Sequence, residues 1–140
     1  FTYDIWAYRG SGGNVGGGEF SIQNVYVIES WGNTSFLFKY NFVNYLGGSF
    51  SSLIGLWYNL VFTYDGTGFV FYLNSAPKYN SGLVNTFSYG SYPLWIGHDG
   101  VSGNYYSKGY ISNVKVYNRA LSNAEIKQNY NALKGRFGLT

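Results

Sequence analysis

The 140-residue sequence contains no cysteine, which excludes disulfides, thiolate metal sites and a cysteine nucleophile. It is also poor in charge: nine basic and six acidic residues make up 11% of the chain, against about 25% in an ordinary soluble domain. This scarcity excludes a coiled coil and charge-rich disorder. No uninterrupted apolar run approaches the roughly 18 residues of a membrane span, so we expect no membrane insertion.

Positive charge is spread thinly along the chain. The net charge is +3, but no two of the nine basic residues are adjacent, and they extend from Arg9 to Arg136. Proteins that bind nucleic acids usually gather such residues into a stripe that follows the phosphates. We therefore expect no nucleic-acid partner. The chain also lacks methionine and begins at Phe1, so we expect a trimmed or processed product.

Aromatic residues and glycine are abundant instead. Aromatics make up 22% of the chain and there are 20 glycines, a mixture typical of a β protein with many turns. Phe36, Phe38 and Tyr40 recur at every second position, as on one face of a half-buried strand. Asp65 and Gly66 separate two apolar runs and predict a hairpin turn.

Only the C-terminal part changes period. Ser122 and Glu125 have the S-x-x-E spacing of a capping box, and apolar residues follow them at helical spacing. We predict one short helix over residues 123–134, after about eight to ten short strands. With no internal repeat and no linker, the pattern predicts a single all-β domain over residues 1–140, an antiparallel two-sheet jelly-roll sandwich with one short C-terminal helix.

Five segments of the sequence carry a common pattern: residues 1–6, 57–66, 71–74, 93–97 and 109–122, the last with the sequence GYISNVKVYNRALS. Together they resemble the laminin G-like branch of the concanavalin A-like lectin/glucanase superfamily. The resemblance implies a jelly roll used mainly as a non-catalytic recognition or adhesion module, often for carbohydrate and sometimes with Ca²⁺. Phe1 aligns with what is normally the family's second or third strand. The opening strand is therefore expected to be missing, which leaves a sheet edge for an upstream segment or another chain.

The six acidic residues argue against an enzyme. Glycosidases place two carboxyl groups about 5 to 9.5 Å apart, but no two acids here are closer than ten residues in sequence. Glu19 and Glu29 stay open as a pair that neighbouring strands bring together. His98 precedes Asp99, but G-x-S-x-G is absent, so a serine-based triad is not expected.

No cofactor is predicted. The one alternative is a weak calcium site, in which Asp99 and Asn104 with backbone carbonyls supply the oxygen ligands.

The candidate ligand-binding residues are aromatic and polar side chains of turns and loops. They are Trp31, Asn33, His98, Asp99, Asn104, Tyr105 and Tyr106. An exposed ring offers a flat face to the apolar side of a sugar, while Asn and Asp bond its hydroxyls. In contrast, Trp6, Trp57 and Trp95 lie within strand patterns and are expected in the core.

We therefore predict a lectin-like recognition or adhesion module of an extracellular or virion-surface protein, with carbohydrate or a surface protein as its partner. The alternative is a structural assembly module, such as a capsid-decorating or fibre domain. Its loop aromatics would then contact other subunits of a larger assembly instead of a sugar.

Overall fold

The computed structural model of the protein describes the chain in separate ranges. They are residues 1–11, 17–22, 26–31, 35–40, 43–49, 52–81, 93–98 and 106–140.

Within these ranges the chain forms ten strands followed by an α-helix and a 3₁₀ turn. In chain order they are β1 (Thr2–Arg9), β2 (Gly17–Ile22), β3 (Tyr26–Trp31), β4 (Ser35–Tyr40), β5 (Val43–Ser49), β6 (Trp57–Tyr64), β7 (Phe69–Leu73), β8 (Ala76–Ser81), β9 (Leu94–Ile96), β10 (Gly109–Tyr117), α1 (Asn123–Leu133) and the 3₁₀ turn (Lys134–Phe137). These elements confirm a mostly β chain with one short C-terminal helix. The helix ends one residue earlier than the sequence predicts.

The strands form two five-stranded sheets. Sheet 1 has the order β10-β1-β6-β7-β8, and sheet 2 has the order β5-β4-β3-β2-β9. Every strand pair with a defined register in the described ranges is antiparallel. Sheet 1 places β1 between two strands that are distant in sequence, whereas four strands of sheet 2 follow one another along the chain.

The chain divides into two compact units. Unit 1 comprises Phe1–Tyr8, Leu56–Thr86 and Tyr110–Thr140, and unit 2 comprises Arg9–Gly55 and Phe87–Gly109. Unit 1 holds α1 and nearly all of sheet 1, and unit 2 holds sheet 2. Each unit combines segments from distant parts of the sequence. A single domain over residues 1–140 stays a prediction.

One face of sheet 1 is an aromatic core. Tyr3 of β1 pairs with Phe62 of β6, and both side chains are buried. The ring of Phe62 lies 5.1 Å from that of Phe71 and 5.4 Å from that of Phe69. Aromatic pairs at such distances contribute about 0.5–1.5 kcal/mol beyond the burial of their area. These rings therefore hold β1, β6 and β7 together on this face.

Helix α1 covers the opposite face of sheet 1. Ile126 is buried and packs in a cluster with Val61, Tyr72 and Leu121. The hydroxyl of Thr2, at the start of β1, accepts a hydrogen bond from the backbone N–H of Leu121 at 2.9 Å. The segment before the helix is thereby tied to the first strand. Helix α1 has eleven residues, and no helix in the described part of the chain is long enough to cross a membrane.

The predicted capping box begins α1. The hydroxyl of Ser122 accepts the backbone N–H of Glu125, and the Glu125 carboxylate accepts the backbone N–H of Ser122 at 2.9 Å. The same carboxylate pairs with both terminal nitrogens of Arg119 at 2.9 and 2.6 Å. The hydrogen bonds from Arg119 and then from Ser122 lower the pKa of Glu125 to about 2. This carboxyl group is therefore committed to the helix start.

Asp4 is a carboxylate buried on the helix-covered face. Its side chain is almost inaccessible to solvent, and Asn59 donates a hydrogen bond from Nδ2 to its Oδ1 at 2.6 Å. Burial raises the pKa of Asp4 above the ordinary 3.8, and the bond from Asn59 and the charge of Lys115 oppose that rise only in part. The fold therefore favours the neutral form of Asp4 more than water does.

The raised pKa gives Asp4 a defined effect on stability. The folded state holds this proton above pH 3.8 while the unfolded state releases it, so the stabilising contribution is lost as pH rises through the folded pKa. We expect Asp4→Asn to gain stability relative to the wild-type protein as pH rises from 4 to 7. Urea unfolding at several pH values measures this difference.

The matched control for Asp4→Asn is Asp65→Asn. Hydrogen bonds from the backbone and side chain of Thr67 and from the backbone of Gly68 lower the pKa of Asp65. The stabilisation from Asp65 is therefore present above pH 3.8 and is lost as pH falls through its folded pKa. Asp65→Asn should therefore show little change relative to the wild type from pH 4 to 7 and should gain relative stability only below pH 3.8, and a response that parallels that of Asp4→Asn would contradict the assignment.

Candidate functional site

Two of the seven predicted ligand-binding residues lie together in the described ranges. His98 and Tyr106 form an isolated antiparallel bridge, and their rings lie 4.6 Å apart at an angle of 47°. The backbone N–H of Ser107 donates to the carbonyl of Gly97 at 2.9 Å beside this bridge. Residues on the two sides of the predicted loop are therefore paired, and this pairing brings the two rings next to each other.

Trp31 ends β3, where its backbone pairs with Ser35 of β4. It belongs to the strand and not to the turn in which the sequence pattern placed it. The other predicted residues, Asn33, Asp99, Asn104 and Tyr105, lie outside the described residues.

Trp95 joins His98 and Tyr106, contrary to the sequence-based prediction. Its ring lies 5.4 Å from that of His98, and its side chain is 41% exposed. The expectation of a core position is wrong for Trp95. The physical reason is that β9 has only three residues and lies at the edge of sheet 2. Trp6, in contrast, is 1% exposed, which confirms its predicted core position.

We call Trp95, His98 and Tyr106 the Trp95 cluster. Tyr106 is 61% exposed, so two exposed aromatic rings lie next to the imidazole of His98. The two exposed rings offer apolar surface, and the phenol of Tyr106 can donate and accept hydrogen bonds, whereas Nε2 of His98 is buried. Such a surface suits a ligand with an apolar face and hydroxyl groups at its edge.

The sequence carries one signal for Trp95 that residue alternation does not reveal. Pro93 and Gly97 leave room for only three strand residues between them. Proline favours edge strands because it has no N–H to donate to a neighbouring strand. A tryptophan in so short a segment, next to a proline, is a candidate for exposure.

The acidic residues with described side chains are engaged elsewhere. Asp4 is buried, Glu125 caps α1, and Asp65 accepts the backbone N–H groups of Thr67 and Gly68 at 2.8 and 2.9 Å. The described ranges contain no group of three His, Asp or Glu residues able to hold a metal ion. The calcium alternative at Asp99 and Asn104 falls outside those ranges.

The backbone register brings Glu19 and Glu29 to neighbouring positions. Gly18 of β2 pairs with Glu29 of β3, and a shift in register separates Gly18 from Phe20. Glu19 therefore lies at an irregularity beside the residue opposite Glu29. The sequence pattern leaves Glu19 and Glu29 as a candidate pair on neighbouring strands. The strand pairing agrees with this, because it places the backbones of the two residues close together.

The fold defines the class of protein. A family profile of the concanavalin A-like lectin/glucanases superfamily, of the laminin G type, matches residues 1–127. The chain belongs to this superfamily. No curated protein is significantly similar to the chain.

Solved structures share the fold at low sequence identity. A candidate carbohydrate-binding protein from Bacteroides ovatus superposes with a TM-score of 0.78 and 18% identity, over 91% of this chain and 39% of that protein. Domain 4 of AbnA, an extracellular arabinanase from Geobacillus stearothermophilus in complex with arabinotriose, gives 0.71 and 19%, over 91% and 64%. A sialidase from Trypanosoma rangeli gives 0.67 and 18%, over 92% and 22%. This chain thus spans less than two thirds of each of these proteins.

Proposed function

We propose that the protein is a non-catalytic carbohydrate-recognition module that binds a glycan through the Trp95 cluster. The observation that carries the proposal is the exposure of Trp95 and Tyr106, whose rings lie 5.4 and 4.6 Å from that of His98. A sugar ring packs its C–H face on such aromatic rings and directs its hydroxyls to the phenol of Tyr106. Trp31, Asn33, Asp99, Asn104 and Tyr105 stay predicted members of the site.

The Trp95 cluster is pre-organised for binding. The His98–Tyr106 bridge and the hydrogen bond from Ser107 to Gly97 fix the backbone on both sides of the ring pair. These backbone contacts reduce the backbone freedom at His98 and Tyr106 that ligand binding would otherwise have to remove. The fold-related carbohydrate-binding protein and the arabinotriose complex support a sugar as the ligand class.

We also propose that the protein acts outside the cell, and the fold-related domain of an extracellular arabinanase supports this. A position on a virion surface remains a prediction of the sequence.

The glycan site can be tested with a glycan array and a soluble hit from it, in calcium and in EDTA. We expect Trp95→Ala and Tyr106→Ala each to weaken binding at least tenfold, which corresponds to about 1.4 kcal/mol. Lys127→Ala, an exposed position on α1, is the matched control and should bind normally. Circular dichroism should show all three variants folded, because the substituted side chains are largely or partly exposed.

Binding that survives both Trp95→Ala and Tyr106→Ala would exclude the Trp95 cluster as the site. A wild-type protein that binds no glycan on the array, with or without calcium, would contradict carbohydrate recognition itself.

The proposed lack of catalysis has its own test, directed at Glu19 and Glu29. Incubation of the protein with the bound glycan should release no reducing ends above background. Glu19→Gln and Glu29→Gln should leave glycan binding intact because neither residue belongs to the Trp95 cluster. Release of product that either substitution abolishes would instead identify a glycoside hydrolase with this carboxyl pair.

A structural assembly module is the second candidate function. Leu94 and Ile96 flank Trp95, and both are exposed. An apolar strand at a sheet edge is typical of a surface that another subunit covers. This function predicts a multimer by light scattering that Trp95→Ala or Ile96→Ser dissociates. A monomer at high concentration would contradict it.

A further inference from the structure

A second aromatic surface lies in unit 1, on the helix-covered face of sheet 1. Five rings follow one another there: Trp6, Phe137, Trp57, Tyr8 and Tyr110. The successive ring centroids are 4.3, 4.7, 5.7 and 5.7 Å apart. We call this set the aromatic row.

Strand register and the C-terminal turn build the aromatic row. Tyr8 of β1 pairs directly with Trp57 of β6, and Trp6 lies two residues along the same face. The 3₁₀ turn adds Phe137, and Gly138 ends that turn with a φ of 74°, a conformation that glycine adopts without strain. With Tyr110 of β10, four separate segments of sequence therefore converge on one surface.

Exposure changes along the row. Trp6 is 1% exposed, Phe137, Trp57 and Tyr8 are half-buried, and Tyr110 is 69% exposed. The buried end needs no function beyond packing, since Trp6 also stacks on Tyr130 of α1. The open end is different, because the exposed ring of Tyr110 continues the half-buried rings of Tyr8 and Trp57. A continuous exposed patch of this kind marks interaction sites more often than a single exposed ring does.

The charge beside the row is positive. The guanidinium of Arg136 lies 5.9 Å from the centre of the Phe137 ring, and Lys134 precedes it in the same turn. Unit 1 has three acidic side chains. Asp4 is buried, Asp65 is held in its turn, and Glu125 is paired with Arg119. No acidic side chain of unit 1 therefore forms an ion pair with Arg136.

We propose that the open end of the aromatic row binds an acidic oligosaccharide. Sugar rings pack on Tyr110, Tyr8 and Trp57, and a carboxylate of the same chain pairs with Arg136 through the planar fork of its guanidinium. Neighbouring rings along the row favour an extended ligand of several sugar units. This site contains no member of the Trp95 cluster and stands independently of the glycan site proposed above.

The test uses two acidic probes, tetragalacturonate and a hyaluronan tetrasaccharide, with maltotetraose as the neutral probe. Binding is followed by isothermal titration and by tryptophan fluorescence of the intact protein. We expect at least one acidic probe to bind at least tenfold more tightly than maltotetraose. Its affinity should fall as salt is added, because exposed charges are screened.

Variants locate the site. Tyr110→Ala removes a largely exposed ring and should weaken binding of the acidic probe at least tenfold, with an unchanged circular dichroism spectrum. Arg136→Gln should remove the preference for acidic over neutral probes, and Arg136→Lys should restore part of it. Lys127→Gln is the matched control for charge and should bind as the wild type does.

The results separate this proposal from the Trp95 site. Trp95→Ala should leave binding of the acidic probe unchanged, and a loss there would assign the probe to the Trp95 cluster and overturn the aromatic row. Equal affinity for acidic and neutral probes, no effect of Tyr110→Ala, or no saturable binding of either acidic probe would also overturn it.

Discussion

The burial of β1 on both faces is the constraint on which unit 1 depends. Tyr3 and its partner Phe62 belong to the aromatic core on one face, and Trp6 stacks on residues of the helix and the 3₁₀ turn on the other. The hydroxyl of Thr2 ties the strand to Leu121 before the helix. A strand in this position contributes buried side chains to both faces of the sheet. The most N-terminal strand therefore organises the most C-terminal element of the chain.

This arrangement has a cost, which Asp4 shows. A carboxylate on a strand with no exposed face loses its hydration, and the hydrogen bond from Asn59 compensates for only part of that loss. The other acidic side chains with described surroundings, Asp65 and Glu125, have lowered pKa values because backbone and side-chain donors surround them. Three residues of one charge type thus have different roles. Local hydrogen bonding and burial separate them.

The two candidate surfaces follow a common physical rule. Aromatic residues in this chain are abundant because sheets need bulky side chains, and at sheet margins the same rings border solvent. At β9, a three-residue strand at the edge of sheet 2, the side chain of Trp95 is exposed. At β10 the ring of Tyr110 extends the row of half-buried rings beyond the part that α1 and the 3₁₀ turn cover. Binding surfaces in such a fold arise where the core ends.

The sequence by itself determined the elements with local signals. The capping box of Ser122 and Glu125 fixed the start of α1, Asp65 and Gly66 fixed a hairpin turn, and the motif at residues 109–122 indicated the superfamily. Local hydrogen bonds and alternation decide these features, so short segments suffice. Only the tertiary structure decided which aromatic rings stay exposed, because exposure depends on strand order and on segments distant in sequence. The sequence predicted a core position for Trp95, whereas the structure places it at the surface. The structure also places Tyr8, Trp57, Tyr110 and Phe137 in one row.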